Sequence, residues 1–381
     1  MNSINTKQRS LRSLISANAK YIPAGSAILL FVLAFAVLSV VYGDKGFFTL
    51  RTIFGIFTDN AYLGISAVGM TFVIISGGID LSVGAVAALT TMIISFGNAP
   101  PGSEEATGFA GGLGLPMPLC IIFALFVGTF LGFLMGVLIQ TFSVPPFVAT
   151  LGGMFFARGM CFVISIYSIS IKDVWFRSIA SWRINIPDFL SKRANVKAPL
   201  NAGFFVLVVM LILGIVVLSS TKFGRNVYAL GGNEESAKLM GLPVGRTRIQ
   251  VYAFNGFCSA LAGIVFDLTL LSGYSLHLLG MELDIVAAVV IGGTLLTGGV
   301  GYPLGSLFGM LIKGIIIKFK AFNGNLEAGW VHIVTGALLL LFILIQRFVV
   351  MFAENNRETQ TIGKATEAKG AKPKKTAVES G

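Results

Sequence analysis

The sequence predicts an all-α, polytopic bundle of about ten transmembrane helices rather than a soluble domain. Three observations carry that prediction. Hydrophobic residues make up 55% of the 381 and charged residues only 12%, roughly half the share of charge with which a soluble domain covers its core. The apolar residues come in blocks, and 27–41, 121–139, 204–218 and 337–345 contain no ionisable group. The blocks are continuous, whereas the strands of a membrane barrel alternate over about ten residues. A helix needs roughly 20 apolar residues to cross the hydrocarbon core and satisfies its own backbone there.

Taken in order, the predicted spans are 25–42, 53–76, 80–97, 119–140, 147–166, 201–218, 249–271, 283–297, 303–320 and 331–350. Lys7, Arg9, Arg12 and Lys20 precede the first. No small-x-small cleavage site follows it in 40–45, so it reads as an uncleaved helix behind a basic segment, 1–20. An even count puts both termini on one side, and the basic N-terminal segment makes that side the cytoplasm. Counting inward then places 219–248 in the cytoplasm, and this loop carries Lys222, Arg225, Lys238, Arg246 and Arg248. Segment 167–200 falls outside despite six basic residues, and its Trp175 and Trp182 suit a membrane interface. The membrane-spanning domain thus covers 21–352, and 353–381 is a polar tail that cannot bury enough apolar surface to fold alone.

The net charge of +11 does not indicate nucleic acid, because the basic residues sit at block edges and in the tails. The lysines of the 353–381 tail suit contact with anionic membrane lipid, the bland reading being a solvated tail. Cys120, Cys161 and Cys258 lack metal-ligand spacing and read as small buried hydrophobes. His277 and His332 form no motif. There is no G-x-x-x-x-G-K-[ST] phosphate loop and no recognisable catalytic cluster. The expectation is therefore no catalytic, cofactor or metal residue, and no ATPase on this chain.

Glycine is where the sequence becomes specific. Ser76-Gly77-Gly78 followed by Gly84, and Thr297-Gly298-Gly299 followed by Gly305, share the form [ST]-G-G-x5-G. Each lies between two apolar spans, as in the internal repeats of transporters. Glycine permits a tight reversal with positive φ, and Asp80 is placed to cap the helix that follows. The bland reading is a capped turn; the sharper one is a gate. Gly128, Gly132 and Gly136 recur at every fourth position, which lets two helices approach closely. In the cytoplasmic loop, Asn233 suits an N-cap, Glu234 and Glu235 the first turn, and Gly241 and Pro243 the stop. Glu234 and Lys238 stand at i, i+4. A short amphipathic helix results, suited to docking a partner or to being a plain surface helix. Arg158, Asp267 and Lys313 fall inside spans, where ionisable groups face a cavity or a partner. Lys313 and Lys318 also suit snorkelling to the interface. Asn60, Ser66 and Thr71 are polar groups near helix ends and candidates for a solute path.

Four stretches, IISGGIDLSVGAV, VPPFVATLGGMFFARG, FGRNVYALGGNEESAKLMGLPVGRTRI and VVIGGTLLTGGVG, resemble the ribose/galactose-type sugar permeases of bacterial ABC importers, over nearly all of 45–350. Within that family the chain looks most like a permease of a galactofuranose importer. The resemblance implies a cytoplasmic ABC ATPase, a periplasmic sugar-binding protein and a second permease chain, different or identical. It implies that Asn233, Glu234, Ala237 and Gly241 contact the ATPase, and it matches the Arg158–Gly159 pair by position. External loops 98–118 and 167–200 depart from it. An ion-coupled secondary transporter and a membrane-embedded enzyme are the readings to set against it.

Overall fold

The computed structural model describes residues 22–105, 111–191, 196–324 and 329–344. The basic segment 1–20 and the tail 353–381 lie outside these. The described chain is helical, with α1 Ile22–Val41, α2 Leu50–Asp59, α3 Ala61–Ile75, α4 Val83–Asn98, α5 Met117–Thr141, α6 Pro146–Ile164 and α7 Val174–Ser181. Then follow α8 Ala202–Ser220, α9 Lys222–Gly232, α10 Glu234–Leu239, α11 Val244–Leu270, α12 Met281–Ile291 and α13 Pro303–Asn323, with α14 Gly329–Leu344 last. Two small antiparallel pairings join Ile169–Ser170 to Ser272–Gly273 and Arg183–Pro187 to Lys197–Asn201.

Each of the ten predicted segments contains a helix, but not every one of these helices is by itself long and apolar enough to cross a bilayer. Among the described residues α5, α6, α8 and α11 are long and apolar enough, and α2 with α3 makes a fifth, bent by 56° at Asn60. The 11 residues of α12 reach only about 16 Å at 1.5 Å per residue. Gly292 and Gly293 end it where a full span was expected, the latter at φ 92°. Of the snorkelling lysines, Lys313 instead lies buried in an ion pair with Asp284, and Lys318 Nζ sits 2.7 Å from Asp59 Oδ2.

The centre of the bundle is α11 packed on α3, α4 and α5. Lipid tails are as apolar as leucine, so close van der Waals fit, not expulsion of water, holds such helices together. The glycine stripe of α5 supplies that fit. A Cβ on Gly132 would stand 2.3 Å from Tyr252 O, and one on Gly136 2.9 Å from Ile249 Cα. The α3 helix is buried nearly all round, with Phe72 against Phe223 and Phe254.

The connections gather at two ends. At one, Asp188 accepts the N–H groups of Leu50 (3.1 Å) and Arg51 (2.9 Å) and so caps α2. Glu105 joins it there, on Lys172 and the Ser170 N–H. This is the end that holds loop 167–200, where Trp175 and Trp182 stay half-exposed. At the other end lie 76–82, 142–145, 221–243 and the second glycine break.

Candidate functional site

Three glycine pairs, far apart in sequence, meet at this second end. Gly77 turns at φ 83° and Gly298 at φ 84°, so equivalent glycines of the two repeats adopt the same left-handed conformation. The Gly299 N–H, itself at φ 73°, donates to Ile75 O at 2.8 Å. Gly231, on the last turn of α9, lies across that bond. A Cβ there would stand 1.6 Å from Ile75 O and 2.7 Å from Gly299 N. Tyr228, one turn earlier, donates its hydroxyl to Gly301 O at 2.7 Å. The first break, the second break and the loop 221–243 are thus one packed unit. The repeat pattern revealed two of its parts; the Gly231–Gly232 pair and Tyr228 gave no signal of their own.

The loop then delivers α10. Asn233 caps it through its side chain, which accepts the Ser236 N–H at 2.7 Å. Glu234 reaches Lys238 at 2.7 Å and also pairs with Arg248, whose other Nη donates to Gln140 at 2.9 Å. Lys238 first, then Arg248, hold the Glu234 carboxyl below its ordinary range. Gly241 closes the helix at φ 74°, with its N–H on Lys238 O and the Leu242 N–H on Ala237 O. Ala237 faces inward, 1% exposed, against Leu230 and Val244. The outward residues are Leu239, 90% exposed, and Met240, 67%. They are apolar, at the tip of a polar loop, and sequence periodicity over six residues is too short to have singled them out.

A cavity of about 550 Å³ lies beneath, lined by Ser76, Gly77, Gly78, Asn233, Glu234 and Tyr252 among others. Five predicted site residues therefore share one space. Of the second break, Gly298 and Gly299 pack against Gly77 and Gly232 from the other side, while Thr297 is exposed.

Asp80 does not cap α4 directly. Ser82 is the N-cap, and Asp80 Oδ1 accepts its N–H (2.8 Å) and Oγ (2.6 Å). Asp80 Oδ2 takes the amide of Asn255 at 2.8 Å, which ties the first break to the middle of α11. Asn60 is buried at the α2–α3 bend and donates to Ile56 O at 2.8 Å. Thr71 bonds Ser306 at 2.7 Å between helices, and Ser66 is fully buried on α3. Arg158 does not line that cavity; its Nη1 donates to Ser275 O (2.7 Å) and His277 O (2.9 Å). Asp267 is fully buried, and neither carboxylate oxygen is hydrogen-bonded among the described residues. No group of three or more metal-ligating side chains occurs among the described residues.

Comparison with known proteins agrees with this architecture. The family model described as branched-chain amino acid transport system / permease component matches residues 52–343. An inner membrane ABC transporter permease protein of Escherichia coli (strain K12), YjfF, is 41% identical over 314 residues, 82% of this chain and 89% of that one. The fructose import permease protein FruG of Bifidobacterium longum is 38% identical over 330 residues, 86% and 92% of the two chains. The ribose import permease protein RbsC of Haemophilus influenzae is 35% identical over 293 residues, 75% and 81%. No solved structure gives a significant match. These relatives are transport permeases rather than enzymes, and the chain is a multi-pass membrane protein that belongs to the family of permease components described as branched-chain amino acid transport system / permease component.

Proposed function

We propose that this chain is a membrane-spanning subunit of an ATP-driven importer that carries a monosaccharide across the bacterial inner membrane. One observation carries the reading: an exposed, apolar-tipped helix follows a glycine junction that packs against both internal breaks of the bundle. Leu239 and Met240 offer a knob to a cytoplasmic ABC ATPase. Asn233, Glu234, Ala237 and Gly241 set the shape and pitch of that knob. A displacement of α10 is passed through Gly231 to the Ile75–Gly299 bond, and so to the segments that open or close the cytoplasmic end. Ser76, Gly77, Gly78, Asp80, Thr297, Gly298 and Gly299 are the gate in this scheme. ATP supplies the bias from a separate chain, and reversing a 1:99 preference needs about 5.5 kcal/mol of differential affinity.

The relatives that carry sugar names support a monosaccharide as the class of solute. Galactofuranose is the first sugar to test, on the motif likeness, with ribose- and galactose-like sugars next. A periplasmic binding protein brings the sugar to the end that holds 98–118 and 167–200, and a second permease chain completes the path. Both termini and loop 219–248 lie in the cytoplasm. The test is reconstitution in lipid vesicles with the ATPase, binding protein and second permease encoded beside this chain. Labelled sugar accumulates with all four and with ATP. Equal accumulation after omission of the ATPase or the binding protein refutes the proposal.

A further inference from the structure

A second site lies away from the glycine junction, where the chain leaves α11. Leu271 takes a left-handed φ of 53° and reverses the chain. Segment 271–280 then runs back along α4: Gly273 packs on Thr91 and Ser95, and Leu278 O reaches Gly84. Gly84 and Ser95 are eleven residues apart on one helix, roughly 16 Å. Non-helical backbone therefore descends through much of the apolar layer. Such backbone is tolerated at that depth only where protein buries it or where it lines a water-filled cavity. Protein covers one side: Ser275 is fully buried, and Arg158 takes the carbonyls of Ser275 and His277. On the other side is a recess of about 310 Å³ between this segment, α3 and α12.

The lining of that recess has two characters. Tyr62 and Phe266 meet edge to face at 5.1 Å, and Phe266 meets the His277 ring at 5.2 Å. Beside these rings stands the Asp284 carboxylate, paired with Lys313. His277 Nδ1 is buried with no hydrogen-bond partner among the described residues, and so is Glu282 Oε2 at the foot of the same segment. An ion pair and unused polar atoms at this depth do not face lipid tails without cost. At the mouth, Leu276 is 45% and Leu279 69% exposed. Aromatic faces next to fixed hydrogen-bonding groups, in a recess at the small end of ligand pockets, suit a ring with an apolar C–H face and hydroxyls on its edge.

We propose that this recess is a solute-contact site on the translocation path, taking a neutral monosaccharide ring through Tyr62, His277 and Asp284. The proposal rests on the sugar-importer reading, and the test separates the two. In reconstituted complex, the Leu276→Cys variant is treated with a water-soluble methanethiosulfonate, with D-ribose, D-fructose or D-galactose present or absent. Cys120, Cys161 and Cys258 are buried and give little background. The variant is labelled, the transported sugar slows labelling at least three-fold, and a Phe126→Cys variant on the exposed face of α5 stays unlabelled. Tyr62→Phe removes one hydroxyl and raises KM for uptake about ten-fold. An inert Leu276→Cys variant, labelling indifferent to sugar, or an unchanged KM for Tyr62→Phe overturns the recess while wild-type uptake still stands. Wild-type vesicles that accumulate neither these three sugars nor galactofuranose overturn the importer reading instead.

Discussion

Replacing Gly231 with alanine tests the glycine junction at its tightest point. The added carbon would stand 1.6 Å from Ile75 O, 2.7 Å from Gly299 N and 2.8 Å from Ile75 C. All three are backbone atoms, so no flexible side chain can give way. The segments must separate by more than an ångström, which breaks the 2.8 Å bond from Gly299 N–H to Ile75 O. Leaving that pair unsatisfied costs about 1–3 kcal/mol, and overpacking costs about 1–3 kcal/mol more. Better helix propensity at the end of α9 returns up to about 1 kcal/mol. The net is roughly 3 kcal/mol, or about a hundred-fold in the population of the intact junction. A Cβ on Gly232, the adjacent residue of the same helix, would meet nothing within 4 Å. Gly232 is therefore the internal control. Thermal denaturation in detergent and ATP-driven uptake in vesicles are the assays. Gly231→Ala lowers the melting point and abolishes uptake, while Gly232→Ala leaves both near wild type. Equal behaviour of the two variants, in either direction, refutes the reasoning.

Three further outcomes follow from the same geometry. Leu239→Asp with Met240→Asp changes two exposed residues, so the chain folds normally but recovers at least ten-fold less ATPase in co-purification. The Glu234 carboxyl is held below its ordinary range by Lys238 and Arg248, so its contribution is present above its unfolded pKa and is lost as pH falls through the lower folded value. Hydrogen exchange in α10 accelerates across that acidic window in wild type, and the Glu234→Gln variant shows no such step. Asp80→Asn sets an amide against the amide of Asn255 and lowers stability by about 1–3 kcal/mol. Asn255→Asp in the same chain restores most of it, as read by thermal denaturation; a double variant no better than the single one rejects the pairing.

What the sequence made legible was local. The cap by Asn233, the Glu234–Lys238 pair and the stop at Gly241 depend on residues three to eight apart, and all three are present. The glycine stripe of α5 was readable for the same reason, as spacing along one helix. Hydropathy located every apolar segment but not its length in the fold. It ran through Gly292–Gly293 and joined α12 to a break that ends it. Partners across the fold had no local signal. Arg158 was conspicuous as a charge in an apolar span, yet its acceptors are carbonyls 117 and 119 residues away. Asp80 looked like a helix cap because it precedes α4, while one of its three hydrogen bonds comes from Asn255, 175 residues on. The meeting of Gly77, Gly231 and Gly298 likewise depends on three chain segments whose order in space no pattern within any one of them encodes.

In the proposed cycle ATP on a partner chain, acting through α10, drives the solute. The most direct measurement is accumulation of labelled sugar in vesicles holding the complete complex, with ATP supplied or withheld and with proton and sodium gradients collapsed by ionophores. Accumulation that needs ATP and survives the ionophores is expected. Accumulation that persists without ATP and vanishes when a gradient is collapsed contradicts it.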